Sequence, residues 1–196
     1  MLGKLLKYDF KNLYKTLLPI YLITLVITIL TVILNNLSDT SNLFSTLNGL
    51  MILSYVVILM VLVIGTFFLS IRDFYLDFAS ERGYLINTLP VKKSTIITSK
   101  FITGVTTMII SLIVMFISIL ILVIGNGEWS SFANGIANIF RDIPSDAVVM
   151  LILMTVLMIV AYISGLAVCY LSIALGQLKN TNKLGYSFLA YIILYI

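Results

Sequence analysis

The residues best placed to do chemistry in this sequence are hydroxyls set inside apolar runs. Thr24, Thr28, Thr31 and Asn35 form one series, and Thr103, Thr107, Ser111 and Ser118 form a second. At about 100° per residue each series falls on one helical face. Two uses compete for such stripes. Thr24, Thr28, Thr31, Thr103, Thr107 and Ser111 either line a polar path for a substrate, or bond to their own backbone and to neighbouring helices. Other chemistries are closed off by residue type. The chain has no histidine and one cysteine, Cys169, so histidine metal sites, a Cys/His nucleophile and an internal disulfide are excluded. No charge lies near the middle of an apolar run, where ion-coupled carriers usually keep one at a cost of about 3 kcal/mol. A phosphate-cradling G-x-x-x-x-G-K-[ST] motif is also absent.

Composition dictates what must position these hydroxyls. Of 196 residues, 61% are hydrophobic and 10% charged, and the mean hydropathy is +1.14. Soluble domains carry roughly 25% charged residues, so the class is an integral membrane protein. Helices that cross about 30 Å of hydrocarbon need around 20 apolar residues. Such runs extend from about Leu17 to Leu34, Leu50 to Ser70, Thr98 to Ile124 and Ala147 to Leu175. A fifth begins near Leu184 and reaches Ile196. Its length of roughly 20 Å as helix is too short to cross, which reads as a span cut short. Backbone satisfaction in lipid requires helices, since the alternation and turn spacing of a barrel are missing. The expectation is an all-α, polytopic membrane helical bundle forming one domain over residues 1–196.

Lysine and arginine bias sets the orientation. Lys4, Lys7, Lys11 and Lys15 outweigh Asp9 before the first run, which places the amino terminus in the cytoplasm. The connection after Leu34 carries Asp39 and lies outside. Residues 72–97 hold Arg72, Arg82, Lys92 and Lys93, with Lys100 just beyond, and lie inside. Residues 125–146 carry Glu128, Asp142 and Asp146 against Arg141, and lie outside, before Lys179 and Lys183 return the chain to the cytoplasm. The net charge of +4 is thereby used at the membrane surface, on orientation and anionic headgroups, and calls for no nucleic acid.

Three connecting segments have patterns of their own. In residues 1–16 the lysines share one narrow sector, opposite Leu2, Leu5, Leu6, Phe10 and Leu13, as in a helix lying in the membrane interface. It serves as an anchor, or as an elbow that passes force to the first span. In the outer connection, Phe132, Ile136, Ile139 and Phe140 share a face and Trp129 suits the headgroup level. That pattern fits an interfacial helix, or a gate. Gly165, Cys169, Ser172 and Gly176 form a small-residue seam in the fourth run.

The central connection is the most informative. Ile71, Phe74, Tyr75 and Phe78 extend the second helix inward, Gly83 is placed to end it, Pro90 blocks its renewal and Ser94 can cap the third. Between them, Tyr84, Leu85, Ile86 and Leu89 are apolar residues at the cytosolic face. They either dip into the interface or are covered by a protein, at about 1.5 to 3 kcal/mol per buried side chain.

Glu81, Gly83, Leu89, Pro90, Val91, Lys92, Lys93, Ile96, Ser99 and Lys100 together resemble the cytosolic loop of ABC transporter permeases of the type-2 exporter class. The motif covers about twenty residues, and the topology of the whole chain is similar to that family's. Many members carry an acid shortly after the glycine, where this chain has "GYLINTLP". The resemblance implies an amphipathic amino-terminal helix before the first of six spans, and a coupling helix within residues 72–97 that docks on an ATP-binding subunit through Glu81, Arg82, Gly83, Tyr84, Leu85, Ile86 and Leu89. It further implies a cell-membrane permease subunit of an exporter, without its own catalytic residues, metal or cofactor. ATP and Mg would sit on the partner ATPase, and a second permease subunit, the same or different, would complete the pore among membrane lipids. An amphipathic peptide or lipid-like substrate suits the hydroxyl stripes. The competing expectations are a non-transporting structural or sensory membrane subunit, and an intramembrane enzyme, for which no paired acids or polarised nucleophile stand at membrane depth.

Overall fold

The computed structural model describes residues 2–38, 42–79, 92–142, 144–178 and 183–195. Among these every regular element is a helix: α1 (Leu2–Leu37), α2 (Asn42–Ala79), α3 (Lys93–Gly125), α4 (Trp129–Asp142), α5 (Ser145–Gly176) and α6 (Lys183–Tyr195). Four of them, α1, α2, α3 and α5, are long and apolar enough to cross a membrane. At 32 to 38 residues they measure about 48 to 57 Å, well beyond the hydrocarbon thickness of about 30 Å. Each is therefore longer than a crossing requires.

The expected interfacial helix and the first span are one uninterrupted helix. Pro19 lies inside α1 and lacks the N–H that would reach the Lys15 carbonyl, yet the helix continues through it. Lys4, Lys7, Lys11 and Lys15 are exposed, whereas Leu13 and Leu17 are buried. The inward extension of the second span is present, because α2 runs on to Ala79. The third helix starts at Lys93, ahead of the expected cap at Ser94, and the Thr95 amide bonds to the Lys92 carbonyl at 2.9 Å. Lys92 therefore occupies the cap position, two residues before the expected Ser94. At the other end of α3, Gly127 has φ of 72°. The Gly127 and Glu128 amides bond back to the Ile124 and Val123 carbonyls at 3.1 and 3.0 Å. That pair is a Schellman closure, which needs a left-handed residue and so favours glycine.

The helices contribute to two compact units. One comprises Met1–Thr16, Thr66–Met108 and Leu157–Ile196; the other comprises Leu17–Gly65 and Ile109–Val156. In the first, Phe74, Leu166, Tyr170 and Ile173 form the core. The Phe74 ring stacks on Tyr170 at a centroid distance of 4.0 Å and on Phe78 at 4.5 Å. Gly104 lets α5 approach α3: a Cβ added there would stand 3.1 Å from the Tyr170 hydroxyl and 3.4 Å from Leu166 Cδ1. The seam of α5 is used in the same unit, where Gly165 faces the Phe67 ring and Ser172 is buried.

The second unit is joined by side-chain hydrogen bonds between helices. Tyr21 and Ser111 meet at 2.9 Å, Thr28 and Ser118 at 2.7 Å, and Ser118 also donates to Tyr55 at 3.1 Å. Asn48 donates to Asn35 at 2.8 Å. Such bonds take the place of hydrophobic association between helices that lipid cannot drive. In α4, Trp129 and Ile136 are exposed. The run Val149–Val160 of α5 exposes apolar side chains on all sides, which suits lipid contact.

Candidate functional site

Within the first unit, three helices place charges in one buried cluster. Asp73 and Asp77, four residues apart, share a face of α2; Asp9 comes from α1 and Lys100 from α3. Each of the four is at most 5% exposed. Lys100 Nζ lies 2.9 Å from Asp9 Oδ1 and 2.5 Å from Asp73 Oδ2, and it also contacts Asp77 Oδ2. An ammonium has three N–H donors, so each is matched by one carboxylate.

The surrounding polar groups are unequally distributed. Ser99, fully buried, donates to Asp9 Oδ2 at 2.5 Å. Asn12 donates through Nδ2 to Asp73 Oδ1. Asp77 has Lys100 as its donor. A small cavity of about 120 Å³ abuts the cluster, with Asn12, Thr16, Arg72 and Asp73 in its wall. Arg72 is exposed, so this cavity opens from the surface onto one acid of the cluster.

The acid trio has the composition of a cation site. One carboxylate oxygen from each of Asp9, Asp73 and Asp77 lies within 4.8 Å of the others. Lys100 already supplies a cation there, so the arrangement acts as an internal ion-pair junction of α1, α2 and α3. Removing water from four charged groups is costly, and only close pairing offsets it. The cluster is therefore a stringent constraint on how the three helices meet.

Sequence reasoning treated Lys100 as one of the cations that orient the third span, and Asp9 as a minor offset to the amino-terminal lysines. Both are instead buried and paired with each other. A signal was available for each. At about 100° per residue, Asp9 falls on the apolar side of α1, away from the lysines, and Lys100 falls on the stripe of Thr103, Thr107, Ser111 and Ser118.

The hydroxyl stripes are buried throughout. Thr24, Thr28 and Thr31 donate to the carbonyls of Ile20, Thr24 and Ile27 at 2.7 to 2.8 Å. In the other unit Thr103 donates to Ser99 and Lys100 carbonyls, and Thr107 to those of Thr103 and Gly104, at 2.9 to 3.0 Å. Ser111 bonds to Tyr21. These hydroxyls have backbone or interhelical partners, as in packing seams. The expected partner-contact residues Glu81, Arg82, Gly83, Tyr84, Leu85, Ile86 and Leu89 lie outside the described residues, in the connection between Ala79 and Lys92. That connection is bracketed by the charged cluster, with Asp73 and Asp77 on the helix entering it and Lys100 on the helix leaving it. No protein-family model, curated protein or solved structure matches this chain.

Proposed function

We propose that this chain is a membrane-spanning permease subunit of an ATP-driven exporter, moving an amphipathic peptide or lipid-like molecule by alternating access. In this reading the amino terminus and the connection 80–91 are cytosolic. The first turns of α1 lie at the cell-membrane interface. The ATP-binding subunit, with its ATP and Mg, docks on Glu81 to Leu89, and a second permease subunit completes the translocation path.

One observation carries the reading furthest: the buried Lys100 junction binds together the two helices that flank the connection 80–91 and ties both to α1. A partner that displaces this connection moves two membrane helices, and the ion pairs extend the displacement to a third. A purely structural subunit has no need to fasten its most polar connection so firmly. The absence of a central intramembrane charge requires an external energy source for transport, and a docked ATPase supplies one.

Co-purification tests this. The full-length protein, expressed with its genomic neighbours and extracted in mild detergent, should bring down a nucleotide-binding subunit in stoichiometric amount. Recovery of the protein without any ATPase would overturn the permease reading.

A further inference from the structure

Helix α4 is not covered by the rest of its unit. Trp129 is 52% and Ile136 40% exposed, and residues 128–131 and 134–138 are exposed on every side of the helix. Phe132 is partly buried, with its ring centroid 6.1 Å from that of Trp129. Its neighbours nevertheless hold α4 at the membrane surface. α3 ends at Gly125 and α5 begins at Ser145, and both are long and apolar enough to cross, so two consecutive crossings leave α4 between helix ends at one face. Three residues join it to α3 and two to α5, links that reach at most about 10 and 7 Å. With 14 residues α4 is about 21 Å long, too short to cross about 30 Å of hydrocarbon itself.

The two sides of α4 differ in kind. At about 100° per residue, Trp129, Phe132 and Ile136 share one side, and Ser130, Ser131, Asn134, Gly135 and Asn138 fill the other. The helix carries two charges, Arg141 and Asp142, adjacent and opposite in sign at its end. A surface helix drawn to anionic headgroups has lysine or arginine along its polar side, as the start of α1 has with Lys4, Lys7, Lys11 and Lys15. The polar side of α4 is serine, asparagine and glycine. Attachment of such a helix rests on the apolar side chains that enter between lipids, and insertion of that kind responds to how the lipids are packed.

We propose that α4 is a lipid-docking surface sensitive to membrane packing: Trp129, Phe132 and Ile136 enter gaps between the headgroups of the adjoining leaflet, and their seating depends on how loosely the lipids pack and not on headgroup charge. The indole suits the headgroup level, and the serine and asparagine side faces water. Because the links to α3 and α5 are so short, the seating of α4 bears on where the ends of those two helices stand. The surface requires no nucleotide partner, so it stands independently of the permease reading.

Trp129 is the one tryptophan of the chain, so its fluorescence reports on α4 alone. The full chain is reconstituted in vesicles of unsaturated phosphatidylcholine, of the same lipid with added phosphatidylglycerol, and of phosphatidylcholine packed tightly with cholesterol. In the unsaturated vesicles Trp129 should emit to the blue of an indole in water and be quenched by lipids brominated near the top of the acyl chain. Phosphatidylglycerol should leave both readings unchanged, whereas cholesterol should shift the emission to the red and reduce the quenching. Phe132→Ser combined with Ile136→Asn should give water-like emission in every vesicle. Water-like emission of the wild type in unsaturated vesicles overturns the docking surface. Blue emission without quenching by brominated lipid overturns it as well, because a protein then covers α4. Equal quenching in loose and tight vesicles, or quenching that rises with phosphatidylglycerol, overturns the dependence on packing. Unchanged emission in the folded double variant overturns the role of Phe132 and Ile136; should that variant fail to fold, the wild-type readings decide.

Discussion

Lys100 reaches Asp9 with its Nζ 2.9 Å from the carboxylate, joining the first part of α3 to the first part of α1. Both groups are almost fully buried, and the same ammonium contacts Asp73 and Asp77 on α2. Three helices thus share one cation. An ion pair at a solvated surface contributes about 0 to 1 kcal/mol. Removing one member of a buried set costs far more, because the remaining charges lose their partner in a medium that cannot replace it.

The first prediction concerns that cation. Lys100→Met keeps the length of the side chain and removes the charge, so the loss of stability should be about 3 to 5 kcal/mol. Denaturant unfolding in detergent measures it. Combining Lys100→Met with Asp73→Asn lowers the number of unpaired acids and should recover part of the loss. A Lys100→Met protein as stable as the wild type would show that the ion pairs do not hold the junction.

A second prediction follows from close approach at Gly104. A Cβ there would sit against the Tyr170 hydroxyl and Leu166, and both are buried in the core of their unit. Gly104→Val should therefore destabilise by about 1 to 3 kcal/mol through overpacking. Gly49 is also helical, but a Cβ there meets nothing within 4 Å. Gly49→Ala should stabilise by up to about 1 kcal/mol through helix propensity. Thermal unfolding of the two variants side by side separates packing from propensity.

The hydroxyl seam provides a third. Ser118 bonds to Thr28 on α1 and to Tyr55 on α2. Interhelical hydrogen bonds of this kind are worth about 0.6 kcal/mol on average and up to about 1.7. A double-mutant cycle of Ser118→Ala with Tyr55→Phe should give a coupling energy in that range. Zero coupling would mean that the hydroxyls are free to serve passing molecules and do not join the helices.

The helices were legible from sequence because lipid leaves few alternatives: long apolar runs must satisfy their backbone internally, and Leu17–Leu34 or Ala147–Leu175 have no other way to do so. The continuity of α1 was harder to foresee. A change from a lysine-striped segment to an apolar run resembles a boundary, but neither Lys15 nor Pro19 stops the helix. The charged cluster was missed for a different reason. Asp9, the Asp73 and Asp77 pair, and Lys100 come from three separate stretches of the sequence, and each lies near the end of an apolar run, where orientation alone explains a charge. Helical phase was the discriminating feature, since Asp9 stands apart from the lysines and Lys100 shares the threonine stripe.

The last prediction separates docking from transmission. Tyr84 and Leu85 are apolar residues in a polar connection, and covering two such side chains contributes about 3 to 6 kcal/mol. Under the proposed permease reading, replacing both with Asp should weaken binding of the ATPase subunit by about two to four orders of magnitude, read as loss of co-purification. Stability of the isolated chain should change by no more than about 0.5 kcal/mol if the partner alone covers these two side chains, as it would for surface substitutions. Lys100→Arg should do the reverse. It preserves charge but replaces three compact donors with a planar fork, so the match to Asp9, Asp73 and Asp77 is disturbed while the docking residues are untouched. ATPase should still co-purify, and ATP-dependent transport in reconstituted vesicles should fall. If Lys100→Arg transports normally, the junction does not pass motion between helices. If Tyr84→Asp with Leu85→Asp still retains the ATPase, the partner docks elsewhere.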